Sequence, residues 1–75
     1  MQTVSLRGEY ITLAQALKTA GQANSGGQAK LLVREGKVRV NGEVVTQPGR
    51  KLRPGDHFRV QDEPEWVVSA SESES

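Results

Sequence analysis

The spacing of apolar positions changes several times along this 75-residue chain, and each change marks an element. Val4 and Leu6 alternate with Thr3, Ser5 and Arg7, the two-residue period of a strand with one buried face, and Gly8 ends it. From Leu13 to Ala20 the period is helical, with Leu13, Leu17 and the small Ala14, Ala16 and Ala20 inward and Gly21 as the stop. Thr12 followed by Gln15 forms a capping box, and Ile11 stands where a hydrophobic staple belongs. Ser25 followed by Gln28 repeats the box. Ala29, Leu32 and Val33 then share a face of a second helix, which Gly36 closes in a left-handed cap. Residues 21 to 25 leave room only for a tight connection, so the two helices form a hairpin.

Alternation returns after Gly36. Lys37-Val38-Arg39-Val40 turns its valines inward, Asn41-Gly42 is the strongest short signal for a type I′ hairpin turn, and Glu43 to Thr46 forms the returning strand. Gln47-Pro48-Gly49-Arg50-Lys51 reads as a loop, Leu52 as the anchor that pins it, and Arg53-Pro54-Gly55-Asp56 as a type II turn. His57 to Gln61 alternates again with Phe58 and Val60 inward. Asp62 to Glu65 is a polar turn, and Trp66-Val67-Val68 is a last strand placed to pair with the first. The pattern predicts an α+β fold: a two-helix hairpin packed on a small twisted, mostly antiparallel sheet of four to five strands. One domain is expected over residues 1–68. Residues 69–75, serine and glutamate with one alanine, are expected to form a disordered acidic tail.

Composition narrows the function classes. A chain of this size buries only about 60% of its unfolded surface, which leaves no room for a second domain or a deep substrate cavity. Without cysteine there are no disulfides or thiolate metal sites. Met1 is followed by polar residues rather than the apolar stretch of a secretory signal, and no apolar run exceeds three residues. A cytoplasmic monomer with no cofactor and no membrane partner is expected.

The formal net charge of +1 conceals a segregation. Residues 28 to 53 hold seven cations and two acids, whereas residues 54 to 75 hold one cation and six acids. Mixed charge serves solubility, but segregation of this kind fits a polyanion-binding middle beside an acidic end.

These motifs together resemble the small RNA-binding domain named after ribosomal protein S-four, also called the alpha-L motif. The resemblance rests on the first helix (Thr12 to Leu17), the second helix ending in Arg34-Glu35-Gly36, the hairpin from Lys37 to Gly42, and Leu52-Arg53-Pro54-Gly55-Asp56. It is greatest to small free-standing bacterial members, which carry Gly-Gly-Gln-Ala-Lys and Gly-Arg-Lys-Leu, here residues 26 to 30 and 49 to 52. The resemblance implies a non-catalytic module that grips structured RNA, ribosomal or transfer RNA, alone or beside the ribosome or other RNA-processing proteins. Two departures stand out. Many relatives open the first helix with Arg-Leu-Asp and the second with Ser-Arg-Ser, where this chain has Ile11-Thr12-Leu13 and Ser25-Gly26-Gly27. The arginines of those two places are absent, so the implied cationic contacts are Lys30, Arg34, Lys37, Arg39, Arg50, Lys51 and Arg53.

The residues themselves add Ser25, Gly26, Gly27 and Gln28 to the candidate RNA-binding set. Two glycines in a first helical turn lower helix propensity, and two readings account for them. They could let a phosphate approach the free N–H groups of the helix start, or the hairpin could demand them for steric room or positive φ. Lys30 and Arg34, four apart, share a helix face, either a phosphate track or an ordinary solvated ridge. Tyr10, Phe58 and Trp66 are too few, and Phe58 and Trp66 too suited to the core, for recognition by base stacking. Shape and phosphate recognition of folded RNA fits better. The lone His57 has no serine or cysteine beside it in sequence, and Asp62, Glu63 and Glu65 lack the spacing of a calcium loop, so neither catalysis nor a metal is expected. The rival class is an adaptor that docks on an acidic protein surface or adds a strand to the sheet edge.

Overall fold

The computed structural model describes residues 2–70, in which the helices begin and end by local chemistry. Helix α1 (Leu13–Thr19) is capped by Thr12, whose Oγ1 accepts from the Gln15 N–H at 3.2 Å. Helix α2 (Gly26–Arg34) is capped by Ser25, whose Oγ accepts from the Gln28 N–H at 3.1 Å. The second half of that capping box is displaced by one residue, because the Gln28 side chain accepts from the N–H of Asn24 rather than of Ser25. Beyond α2, Gly36 takes φ 75°, its N–H donates to Val33, and the Lys37 N–H donates to Leu32. This is a Schellman closure, which a side chain at Gly36 would strain. The same pair of bonds, Gly21 to Lys18 and Gln22 to Leu17, closes α1.

Five strands form one sheet. They are β1 (Gln2–Leu6), β3 (Val38–Val40), β4 (Glu43–Val44), β6 (His57–Val60) and β7 (Trp66–Ala70), in the spatial order β1-β7-β6-β3-β4. Asn41 and Gly42 both have positive φ, 53° and 88°, and Val40 faces Glu43, so the β3–β4 link is the expected two-residue type I′ turn. The last strand pairs with the first in parallel, Gln2 opposite Trp66 through Leu6 opposite Ala70. That register corrects the expected boundary. Ser69 and Ala70, assigned with the tail, belong to β7, because β1 extends to Leu6 and offers them backbone partners. Residues 71–75 of the expected tail lie outside the described residues.

A second, two-stranded sheet was not expected. Strand β2 (Ile11–Thr12) pairs antiparallel with β5 (Lys51–Leu52), Ile11 opposite Leu52 and Thr12 opposite Lys51. The expected strand Glu43 to Thr46 stops at Val44, and the following segment crosses to the helices instead. There the carbonyls of Arg50 and Pro48 accept from the N–H groups of Leu13 and Ala14, at 2.8 and 3.1 Å. The loop thus satisfies two donors that the start of α1 would otherwise leave open.

One core joins the layers. Leu13, Leu17, Ala29 and Val33 of the helices meet Val4, Val38, Val40, Phe58 and Val68 of the sheet, with Leu52 fully buried beside them. Each large side chain contributes about 1.5–3 kcal/mol by leaving water. Trp66 stacks on Phe58, ring centroids 6.4 Å apart, as a packing group. No polar or charged residue is buried among the described residues, so the cations lie at the surface.

Candidate nucleic-acid interface

The start of α2 is open. Gly26 and Gly27 have helical backbones with no positive φ. A Cβ built on Gly26 would meet nothing within 4 Å, and one on Gly27 only Ser25 Oγ at 3.9 Å. Neither crowding nor backbone strain therefore requires glycine here. Ser25 Oγ takes up the Gln28 N–H, and among the described residues the N–H groups of Gly26 and Gly27 have no partner. Two donors at the positive end of a nine-residue helix face outward, with no side chain to shield them.

Lys30 and Arg34 continue from that end. With Gly26 they follow the four-residue period, a line of about 12 Å at about 1.5 Å rise per residue. Both are exposed, and neither has an ion-pair partner among the described residues. Leu31, 55% exposed, lies beside them and was not among the expected contacts. Lys37 is less free, since its Nζ lies 3.1 Å from Glu35.

The basic loop is held at the start of α1, where the carbonyls of Arg50 and Pro48 accept from Leu13 and Ala14. Arg50, Lys51 and Arg53 are all exposed. Lys51 Nζ sits 4.8 Å from the centre of the Tyr10 ring, a cation–π contact that steadies a side chain on a short ribbon. The Arg53 N–H donates to Asp56 Oδ2 at 2.8 Å, and Asp56 Oδ1 accepts from Asn41 Nδ2 at 3.2 Å. Asn41 Oδ1 in turn accepts the His57 N–H at 3.0 Å. The two turns read separately in the sequence are one linked unit, and it fixes where the basic loop returns to the sheet.

Arg39 stands apart from this line. Val38 and Val40 point into the core beneath the helices, so Arg39 projects from the opposite face of the sheet. Its cross-strand partner there is Arg59. Arg59 was missing from the expected contacts, although its place between the inward Phe58 and Val60 was a legible signal that it faces outward.

Among the described residues no reactive constellation gathers elsewhere. His57 Nδ1 lies 3.7 Å from Glu65, and the described residues contain no group of three or more potential metal ligands. No described helix is long and apolar enough to cross a membrane.

The family model of the S4 domain matches residues 4–68. Over 58 residues the chain is 43% identical to the "Probable ribosome maturation protein RlbA" of Bacillus subtilis, covering 77% of this chain and 82% of that one. It is 39% identical over 56 residues to the "Putative RNA-binding protein YbcJ" of Escherichia coli, covering 73% and 80%. A third relative, the small ribosomal subunit protein uS4 of Anaeromyxobacter, is 34% identical over 73 residues, which span 97% of this chain but 33% of that protein. The match over residues 4–68 encloses both helices, the linked turns and the basic loop, and the chain belongs to the S4 domain family.

Proposed function

We propose that this chain is an RNA-binding module that grips structured RNA by its phosphates. The contacts run from the open N–H groups of Gly26 and Gly27, flanked by Ser25 and Gln28, along Lys30 and Arg34 to Arg50, Lys51 and Arg53. The observation that carries the reading is the run of unpaired donors and unpaired cations along α2 of an S4 domain, from Gly26 and Gly27 to Lys30 and Arg34. Helix N-termini and flexible cations suit phosphate oxygens, and the relief of the line suits a folded RNA better than splayed bases. Relatives named for ribosome maturation and the small ribosomal subunit favour ribosomal over transfer RNA, and a cytoplasmic site of action. The role is binding, with any chemistry supplied by other proteins.

The test uses purified bacterial ribosomal RNA. Log affinity should fall linearly with log salt, with a slope on the order of −2 to −3 if three or more phosphates are contacted. Lys30→Glu with Arg34→Glu should weaken binding by more than about tenfold while the circular dichroism spectrum is kept, because both side chains are exposed. A salt-independent affinity, or capture of an acidic protein that survives ribonuclease, would replace RNA with a protein partner.

A further inference from the structure

We infer that the outer face of the sheet is a second phosphate-binding surface, centred on Arg39 and Arg59, so that the domain holds two RNA segments on opposite sides. The inference rests on the RNA-binding reading above and extends it to a face turned away from α2. Arg39 and Arg59 are direct partners across β3 and β6. The bonds on either side, Asn41 N–H to His57 and Gln61 N–H to Lys37, place them at a hydrogen-bonded rung, where Cα atoms are about 5.5 Å apart.

Like charges directly opposite each other destabilise a sheet, and neither guanidinium has an ion-pair partner among the described residues. Acids are within the neighbourhood and are not used: Asp62 and Glu65 border the same depression, yet Glu65 lies against His57. Arg59 is also oriented in advance. Its Nε–H donates to the Gln61 carbonyl at 2.8 Å, at a residue held at φ 38°, which leaves the outer guanidinium nitrogens free. The depression is about 460 Å³, and Gly42 and Lys37, the latter paired with Glu35, also line it. Gly42 has no side chain to keep a backbone away. Two planar forks side by side over a concave surface suit phosphate oxygens, which they can engage in bidentate fashion.

The helices and this face lie on opposite sides of a two-layer molecule whose smaller dimensions are 21 and 18 Å. Two RNA segments bound there would be kept apart by the thickness of one domain. That arrangement suits a protein seated between neighbouring RNA helices rather than on the outside of one.

The experiment is a two-RNA capture. A biotinylated RNA duplex of about 16 base pairs, the span of a small double-strand-binding domain, is fixed on beads and loaded with the full chain. A fluorescent duplex of the same sequence is then added. The parent should retain the second duplex. Arg39→Gln with Arg59→Gln should still bind the first duplex, keep or raise its melting temperature, and lose most of the retained fluorescence. Normal retention by this double variant overturns the inference alone, leaving the helix-side site in place. Failure of the parent to bind the first duplex overturns the RNA reading as well. A parent that binds the first duplex and never retains the second confines RNA to one face and also overturns the inference.

Discussion

Gly26 and Gly27 illustrate how a residue can be costly to the fold and useful to a ligand. Both occupy helical backbone that any residue could adopt, with open space where a Cβ would stand. Gly26→Ala and Gly27→Ala should therefore stabilise the domain by roughly 0.4–1 kcal/mol, by restricting the unfolded chain. RNA affinity should fall at the same time, because the methyl stands before the free N–H groups. Melting temperature and affinity measured on the same variants check the opposed signs, and an alanine variant that binds as well as the parent removes this helix end from the site. Asn41 behaves differently, serving the turn and a long-range link together. Asn41→Gly keeps the left-handed turn but loses the bonds to Asp56 and His57, at about 0.5–1.5 kcal/mol each. Asn41→Ala adds about 1–2 kcal/mol for a left-handed non-glycine residue, so denaturant titration should rank alanine below glycine and glycine below the parent.

Among the elements, those governed by chemistry within four residues were legible in the sequence. Thr12 and Ser25 cap as their spacing to Gln15 and Gln28 predicts, Gly36 closes α2, and Asn41-Gly42 turns as its pairing requires. What was not legible depends on partners far away in the chain. The β2–β5 ribbon forms because Ile11 meets Leu52, and neither two-residue strand carries a periodic signal of its own. The split of the cations had a similar cause. Arg34 and Arg39 are near in sequence, but one lies on a helix and the other on the sheet face that the helices do not cover. The end of β7 was misplaced because Ser69 and Ala70 have no apolar signal and are held only by backbone pairing to Ser5 and Leu6. Ending the chain after Val68 removes two rungs of that pairing, and each kcal/mol lost should lower the midpoint by about 4–8 °C.

For the whole molecule, the forces that fold it and the forces that serve binding are separate. The core is apolar throughout, and the Lys37–Glu35 ion pair and the His57–Glu65 contact among the described residues are both at the surface, where ion pairs contribute about 0–1 kcal/mol. Raising salt from about 0.05 to 0.2 M, a range over which polyanion binding weakens steeply, should move the melting temperature little while RNA affinity falls. Parallel loss of both quantities would mean that the cations support the fold, contrary to their exposure.

The parallel pairing of β1 with β7 sets the order of events during synthesis. Gln2 must wait for Trp66, so the sheet cannot close until the chain through β7 has emerged, and the closure joins residues far apart in sequence. Helices of seven and nine residues are too short to persist alone, and their buried faces and the open donors of α1 wait for the same closure. The sole tryptophan starts the last strand and stacks on Phe58, so its fluorescence reports that final closure in a refolding experiment. Circular dichroism at helix wavelengths should rise together with it, and a helix signal that forms well ahead of the tryptophan change would show that the hairpin stands without the sheet.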